Sequence, residues 1–416
     1  MKRNLLLLLV FTLFLAQANA QKKPTEKELA KQAQTDRDRP GVLVIGNQNT
    51  AAAAAIQAAA SGVKTTILLQ SGGFDITSPL KELSSGIQYK FLEKFKDDFF
   101  LTKDSVELGG SFDKLKANAI LKSITDSIKN LTVIRNVLWT KADRSGNNWV
   151  FKLSDGSTIK PKVLINPGDE KLNAALAISP PKLTWNKLDY ANNSYRTSVA
   201  AGRAIDGTHV TTFSMYQFFV PNQENLVWIN DPVSMELGQA AGAIAAYAAF
   251  FNTKTSLSNL KKIQGELIQY KLNLMPFADI QRTDSSWRAI QLVGLTGIIK
   301  GDFVDGKLMF SPDKLVSTAD IKQPAKEFYY KAQIWFDDYK KAEMTIESTL
   351  DMIAYVGNKS LENTKKEVLK KWKTTYQFKS ELDFKRQINR RELAVLLQDY
   401  MPPFNVNIDD KGRVVR

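Results

Sequence analysis

Short apolar runs separated by small-residue segments characterise the start of the ordered chain. Residues 42–45 form a β-branched run that ends at Gly46, and residues 64–69 form a second such run. Between them, residues 50–60 are almost entirely alanine. Apolar β-branched runs predict buried parallel strands, and alanine has the highest helix propensity. The pattern therefore predicts a strand–helix–strand unit with a parallel sheet.

Two further patterns follow before residue 275. Residues 131–165 hold short β-like runs, and Ser154-Asp155-Gly156-Ser157 predicts a hairpin turn between two of them. Residues 226–229 predict another buried strand, and Met235–Phe250 predicts a helix of small residues after it.

Beyond Phe277 the spacing becomes helical, with more lysine and aromatic residues. We therefore expect an α/β domain over 41–275 and a mainly α-helical domain over 276–416. The fold class expected for the first is Rossmann-like.

The N-terminus has the order of a secretory signal. Lys2 and Arg3 precede an apolar run, and Ala18-Asn19-Ala20 follows it. This order predicts a cleavable signal peptide over 1–20, a flexible polar leader over 21–40, and a periplasmic or extracellular protein. No later apolar run is long enough to predict a transmembrane segment.

Charge and residue usage narrow the chemistry. The formal net charge is +14, which after export favours anionic envelope polymers or lipid headgroups over nucleic acid as partners, unless the lysines only solvate the surface. The chain has no cysteine and one histidine, His209. Thiol nucleophiles, redox dithiols and histidine or thiolate metal sites are therefore excluded, and we expect no metal.

A candidate phosphate-binding turn lies where the first strand meets the alanine-rich helix. The segment is Gly46-Asn47-Gln48-Asn49-Thr50-Ala51. Against the G-x-G-x-x-G/A pattern of dinucleotide folds, Gly46 and Ala51 fill the first and third positions, but Gln48 replaces the second glycine. Gln70 replaces the acidic residue expected on the ribose. The fold is indicated strongly and the retention of a cofactor is left open.

The segment from Val42 to Lys64 resembles the opening of the FAD-dependent oxidoreductases, and Glu224–Asp231 with Leu237–Gly242 resembles that family's closing strand and helix. The resemblance implies FAD as cofactor, with Asp231 on a ribityl hydroxyl and Gly238, Gln239 and Ala240 opening the closing helix. Weaker matches are 164–169, where Asn166 and Pro167 depart from the family pattern, and 201–209.

The C-terminal part resembles S-layer homology repeats, with one copy over residues 277–320 and a partial second copy ending at 388–393. In that family the repeats hold anionic wall polysaccharide. The matching positions would be Trp287, Arg288, Arg390 and Glu392. The alternative is a helical domain that only packs against the α/β part.

Two function classes remain. The first is an exported flavin-dependent oxidoreductase that transfers hydride between FAD and an unidentified small or glycan-type substrate; its catalytic residues are unknown. The second is a non-catalytic relative that serves as an envelope scaffold or polysaccharide-binding protein. A dehydrogenase that uses nicotinamide alone is disfavoured, because the closing strand and helix resemble the flavin pattern.

Overall fold

The computed structural model describes residues 39–79, 82–96, 112–204 and 207–415, together with Thr25. The predicted signal peptide lies outside the described residues, as does most of the predicted leader. The main sheet has the strand order β10-β11-β7-β1-β2-β3. Its strands are β1 (Val42–Ile45), β2 (Thr65–Leu69), β3 (Leu131–Arg135), β7 (Val163–Asn166), β10 (Phe219–Val220) and β11 (Gln223–Trp228).

The five strands β3, β2, β1, β7 and β11 run parallel. Val42 pairs with Thr65 on one side and with Val163 on the other. The strands β1, β2 and β7 are buried along their whole length, which explains why they are continuous apolar runs rather than alternating ones. Because the chain crosses from one side of β1 to the other, the carboxyl end of β1 is the topological switch point of the sheet.

The remaining strands and helices of this part surround the sheet. A three-stranded antiparallel sheet lies between β3 and β7 in sequence, and a hairpin precedes β10. They are β4 (Trp139–Ser145), β5 (Asn148–Leu153), β6 (Thr158–Ile159), β8 (Ser198–Arg203) and β9 (Val210–Ser214). The helices are α1 (Asn49–Ala60), α2 (Gly86–Lys96), α3 (Lys114–Asp126), α4 (Glu170–Ala175), α5 (Met235–Phe250) and α6 (Leu260–Gln269).

Helices α1 and α5 approach each other backbone to backbone. A Cβ on Gly238 would lie 2.2 Å from the carbonyl oxygen of Thr50, and one on Gly242 would lie 2.4 Å from that of Ala54. Both helices are buried almost throughout and consist largely of alanine. Small residues are therefore the condition for this contact, because any side chain at the two glycines would separate the helices.

The C-terminal part is built from three helix–loop–helix units. The first unit also carries a small hairpin between its helices. The elements are α7 (Trp287–Thr296), β12 (Asp302–Val304), β13 (Lys307–Met309), α8 (Thr318–Phe328), α9 (Tyr330–Asp338), α10 (Ile346–Gly357), α11 (Leu361–Thr374) and α12 (Arg390–Tyr400). In chain order, the first unit consists of α7 and α8, the second of α9 and α10, and the third of α11 and α12.

A closed ring of backbone hydrogen bonds joins the three units. The N–H of Val316 donates to Ile388 O (2.9 Å), that of Ile388 to Met344 O (2.9 Å), and that of Met344 to Val316 O (3.2 Å). In each unit the next residue caps the second helix through a capping box; the caps are Ser317, Thr345 and Asn389. The sequence indicated only two units, so the ring reveals a third unit between them.

An ion pair whose arginine is buried and whose glutamate is partly exposed joins the two parts of the chain. The guanidinium of Arg196, which precedes β8, donates to both carboxylate oxygens of Glu327 in α8 and to the carbonyl oxygen of Gly412. Only 4% of the Arg196 side chain is exposed.

The predicted strands and helices of the α/β part are confirmed, and α5 has the predicted bounds. The sequence missed β4 and the short β6, so the turn at Gly156 joins β5 to β6. The predicted division at residue 275 stays a prediction.

Candidate functional site

The turn between β1 and α1, residues 46–51 (the Gly46 turn), lies at the switch point of the sheet. Gly46 has φ +145°, a conformation that side chains other than glycine's rarely allow. Asn49 donates through its side-chain amide to Thr77 O (2.9 Å) and accepts from Thr77 N–H (3.0 Å). Asn47 donates to the hydroxyl of Ser71 (3.0 Å). The two asparagines therefore anchor the turn to the segment that follows β2.

Gln48 occupies the space above Gly46. Its Oε1 accepts a hydrogen bond from the backbone N–H of Asn47 at 3.1 Å. A Cβ on Gly46 would lie 2.5 Å from that oxygen and 3.2 Å from Cγ of Pro167. Gln48, which departs from the dinucleotide pattern, and Pro167, which departs from the family's pattern over 164–169, therefore both lie next to Gly46.

Gln70, at the end of β2, reaches across the carboxyl end of β1. Its Nε2 lies 3.4 Å from Oδ2 of Asp169, and the same oxygen accepts from Trp139 Nε1 at 3.1 Å. The other carboxylate oxygen of Asp169 caps α4 by accepting from Leu172 N–H. The structure therefore places a carboxylate within contact of the position where the sequence lacked one.

The turn after β11 covers the N-terminus of α1. Asp231 accepts the N–H groups of Val233 and Ser234 on one carboxylate oxygen, at 2.8 Å each. The hydroxyl of Thr50 donates to Asp231 O at 2.5 Å, and Thr50 N–H lies 3.4 Å from Pro232 O. The structure thus brings the Gly46 turn and Asp231 together.

The residues predicted to open the closing helix serve its packing. Helix α5 begins one turn earlier, at Met235 with Ser234 as its cap. Gly238 lies against α1, and Ala240 is fully buried. Gln239 is also buried, donating to Gln57 Oε1 (2.9 Å) and accepting from Ile87 N–H (2.9 Å).

A cleft lies beside the start of α5, between it and the β8–β9 hairpin. It contains about 440 Å³ of empty space, open solvent included. Its walls are formed by Glu82, Leu83, Gln88, Trp185, Ala201, Gly202, Arg203, Phe213, Asp231, Val233, Ser234 and Glu236.

Among the titratable groups that line the cleft, Glu236 has the pKa that is shifted most. It accepts from Ser85 N–H (3.4 Å) and from the Ser234 hydroxyl (3.3 Å), both long hydrogen bonds. Burial raises the pKa of Glu236 to about 8. The carboxyl is therefore neutral at neutral pH and can donate a hydrogen bond or hold a proton. One feature of the sequence indicates Glu236: it is an acidic residue in an otherwise apolar helix start.

The mouth of the cleft combines an ion pair with aromatic rings. Arg203 donates to Glu82 Oε1 at 2.9 Å and to the carbonyl oxygen of Gly207. Trp185 meets Phe213 edge to face, with 4.7 Å between the ring centroids. His209 contacts Trp185 O through Nε2 (2.5 Å) and the Thr208 hydroxyl through Nδ1 (2.8 Å). Both ring nitrogens of the single histidine are therefore engaged by neighbouring groups.

Three of the four positions that the repeat resemblance assigned to polysaccharide are buried in the C-terminal part. Trp287 is 1% exposed, Arg390 5% and Glu392 1%. Arg390 donates to Phe310 O (2.9 Å), and Glu392 is paired with Arg386. Arg390 thus joins the third unit to the first, Glu392 is bound within the third unit, and Trp287 Nε1 donates to Asn273 Oδ1 at 3.2 Å. Arg288 is exposed.

The described ranges contain no group of three or more acidic or histidine side chains arranged to hold a metal ion. No helix there has both the length and the apolar composition for crossing a bilayer.

Comparison with known proteins gives likeness of fold at low similarity. No protein family and no curated protein matches the sequence. Among solved structures, the flavin-dependent monooxygenase PieE in complex with FAD and substrate is 13% identical, covering 36% of this chain and 34% of PieE with a TM-score of 0.29. The p-nitrophenol 4-monooxygenase PnpA from Pseudomonas putida is 11% identical, covering 58% of this chain and 87% of PnpA with a TM-score of 0.28.

A third similar structure is the anhydrotetracycline hydroxylase OxyS from Streptomyces rimosus. It is 11% identical and covers 61% of this chain and 70% of OxyS, with a TM-score of 0.29. At these scores the fold class rests on the strand order and on the contacts described above.

Proposed function

We propose that this chain is a flavoprotein of the FAD-dependent oxidoreductase class. One observation carries the proposal: the N-termini of α1 and α5 converge at the switch point of the sheet, beside the cleft that holds Glu236. Helix N-termini attract anionic groups, and ligands of open α/β sheets bind in the crevice outside the carboxyl ends of the strands. The family resemblance of the two segments adds the identity of the cofactor.

In this assignment the diphosphate lies over the Gly46 turn, where strand β1 leads directly into the N-terminus of α1. Gln48 stands in that space, but only through the end of a flexible side chain. In this assignment Asp231 and Ser234 face the ring end of the cofactor, and the cleft walls separate to admit the ring. FAD supplies acceptance of hydride from a substrate when bound.

Glu236 keeps a proton at the start of α5. Because its carboxyl is neutral at neutral pH, it donates a hydrogen bond toward the cleft without placing a negative charge there. Arg203 and Glu82 fix the mouth of the cleft by their ion pair. Trp185 and Phe213 give the cleft an apolar wall suited to a small molecule.

Titration of the protein from Gln21 onward with FAD tests the proposal, with flavin fluorescence and visible absorbance as readouts. We expect saturable binding that is lost in Gly46→Leu, where a side chain fills the turn. Gly265→Leu is the matched control, because a Cβ at Gly265 meets nothing within 4 Å. Absence of saturable binding in the unaltered protein contradicts the proposal, provided that near-ultraviolet circular dichroism shows the protein to be folded.

We also propose that the chain is exported and cleaved after Ala20. The order of charged, apolar and small residues over 1–20 supports this. Expression of the full chain in a Gram-negative host, fractionation and N-terminal sequencing test it. A mature N-terminus at Gln21 in the periplasmic fraction is expected, and an intact Met1 there contradicts cleavage.

A second candidate function is binding of an anionic envelope polymer by the C-terminal part. A groove of about 990 Å³, open solvent included, lies between its first and third units, and its charged lining residues are Lys379 and Arg391 together with Asp284, Asp313 and Glu392. Co-sedimentation with an insoluble acidic polysaccharide tests this function, with Arg391→Ala expected to reduce binding. Equal retention by a neutral polysaccharide contradicts it.

A further inference from the structure

The groove above the Gly46 turn is bordered by the ends of three adjacent strands. Gln70 follows β2, Gly46 follows β1, and Pro167 follows β7. In a dinucleotide fold this groove receives the diphosphate over the glycine turn and the ribose at the end of the second strand. The side chains that border the groove therefore decide whether a nucleotide can enter.

The diphosphate position is filled by a side chain of the turn itself. Gln48 Oε1 accepts from Asn47 N–H at 3.1 Å and lies above Gly46. A carbonyl oxygen that accepts a backbone N–H at a helix N-terminus makes the same kind of contact that a phosphate oxygen would make. Gln48 makes no capping bond to α1, so this contact is where its carboxamide is engaged.

The ribose position is bridged from the opposite wall. Gln70 Nε2 lies 3.4 Å from Asp169 Oδ2, which puts a side-chain contact across the carboxyl end of β1. Trp139 Nε1 and the N–H of Leu172 hold Asp169 in place. Pro167 lies two residues before Asp169 and next to Gly46. A Cβ added at Gly46 would be 3.2 Å from Cγ of Pro167.

We propose that Gln48, together with the Gln70–Asp169 bridge, is a built-in closure of the nucleotide groove, so that a dinucleotide binds only by displacing these side chains. The inference rests on the proposed function for the identity of the nucleotide. The apo fold is therefore complete without nucleotide, and affinity is lower than the backbone of the turn alone would give. Gln48 is the specificity-determining residue of the groove.

Isothermal titration calorimetry of Gln48→Gly with ADP and with FAD tests the closure. Glycine fits at position 48, where the backbone is extended, and it is a tolerated helix cap. We expect Kd for both nucleotides to fall about tenfold, the equivalent of ~1.4 kcal/mol, because no intramolecular hydrogen bond has to be broken. ADP reports on the groove alone, whereas FAD reports on the groove and the cleft.

Two further variants serve as controls for this measurement. Gln48→Ala shortens the side chain without adding backbone freedom and should tighten binding in the same direction. Gln281→Gly makes the same exchange at an exposed loop position in the C-terminal part and should leave both Kd values unchanged. Hydrogen exchange adds a readout without ligand: the Asn47 amide should exchange faster in Gln48→Gly, since its acceptor is gone.

The outcomes separate the two proposals. Tighter binding by Gln48→Gly supports the closure, even where the unaltered chain binds no FAD, in which case the proposed function fails and the closure stands. Equal Kd values for the unaltered chain and Gln48→Gly overturn the closure, and so does absence of binding by both. An unchanged exchange rate of the Asn47 amide also overturns it.

Discussion

The two parts of the chain each bury a glutamate, and the two glutamates differ in whether a cationic side chain is paired with the carboxylate. Glu236 in the α/β part has no cationic partner among the described residues and accepts only two long hydrogen bonds. Glu392 in the C-terminal part, 1% exposed, contacts Arg386 with both carboxylate oxygens, at 2.7 and 2.9 Å. A buried charge that is paired contributes to structure, whereas a buried carboxyl without a partner stays protonated and becomes available for function.

The same contrast holds for packing. In the α/β part, α1 and α5 meet through glycine and alanine, and their separation is fixed by backbone atoms. In the C-terminal part large side chains such as Trp335, Phe336 and Trp372 fill the space between helices. The first arrangement fixes the position of two helix N-termini closely, while the second tolerates adjustment because side chains can shift.

The largest loss of stability that we expect from one substitution is at the paired glutamate. Glu392→Gln removes the charge that Arg386 faces and should lower the free energy of unfolding by about 3 kcal/mol, since breaking a buried ion pair leaves a charge unpaired. Urea unfolding followed by tryptophan fluorescence measures it. A loss below about 1 kcal/mol would place this pair with weak surface salt bridges and remove the contrast with Glu236.

Helix packing through glycine gives the next effect. Gly238→Ala places a Cβ 2.2 Å from Thr50 O and should cost about 2–3 kcal/mol through overpacking. Gly265→Ala, in α6 with nothing within 4 Å, should instead stabilise by about 0.5–1 kcal/mol through helix propensity. Equal effects of the two substitutions in thermal unfolding would show that the α1–α5 contact is looser than described.

The unpaired glutamate predicts a pH dependence with a definite sign. In the unfolded chain Glu236 ionises above about pH 4.5, whereas the folded carboxyl stays protonated up to about pH 8. The folded state therefore binds more protons in this window, and its stability falls as pH rises, by ~1.4 kcal/mol per pH unit at most. Glu236→Gln should flatten this fall, with little change below pH 4.5.

Thermal unfolding of both proteins from pH 4 to pH 9 measures that difference. Parallel curves for the unaltered protein and Glu236→Gln would mean that the carboxyl ionises normally and that the cleft is wetter than its burial indicates.

The smallest expected effect concerns the helix caps of the ring. Asn389→Ala removes the acceptor for the N–H of Glu392 and should cost about 1 kcal/mol. Thr345→Ala removes the equivalent acceptor for Ser348 N–H and should cost a similar amount. A cost confined to Asn389 would show that the three units are not equivalent in energy.

Prediction from sequence succeeded where structure is local. Strand β1, helix α1 and helix α5 follow from apolar runs and small-residue composition, and the Gly46 turn follows from its glycine. The second C-terminal unit was missed because Ile346 and Ser348 stand where the third unit has Arg390 and Glu392. Its part in the ring is played by backbone atoms that any residue carries. Backbone pairing of this kind leaves no signature in side chains.

The candidate site shows the same limit. The sequence indicated that Gln48 and Gln70 depart from the pattern, but not that they close the groove, because the partner Asp169 comes from a strand far along the chain. Only Asp231 and the weak match over 201–209 indicated part of the cleft, since Phe213 reaches it from β9 and Trp185 from the segment before the β8–β9 hairpin. Tertiary contacts determine where these side chains lie, and the periodicity of the sequence does not predict such contacts.

The ring of hydrogen bonds among Val316, Met344 and Ile388 has a consequence for synthesis of the chain. A linear array of repeats can begin to assemble with its first pair, but a ring is incomplete until its last member arrives. A chain whose synthesis stops before Ile388 therefore leaves the N–H of Val316 and the carbonyl oxygen of Met344 without their partners in the ring.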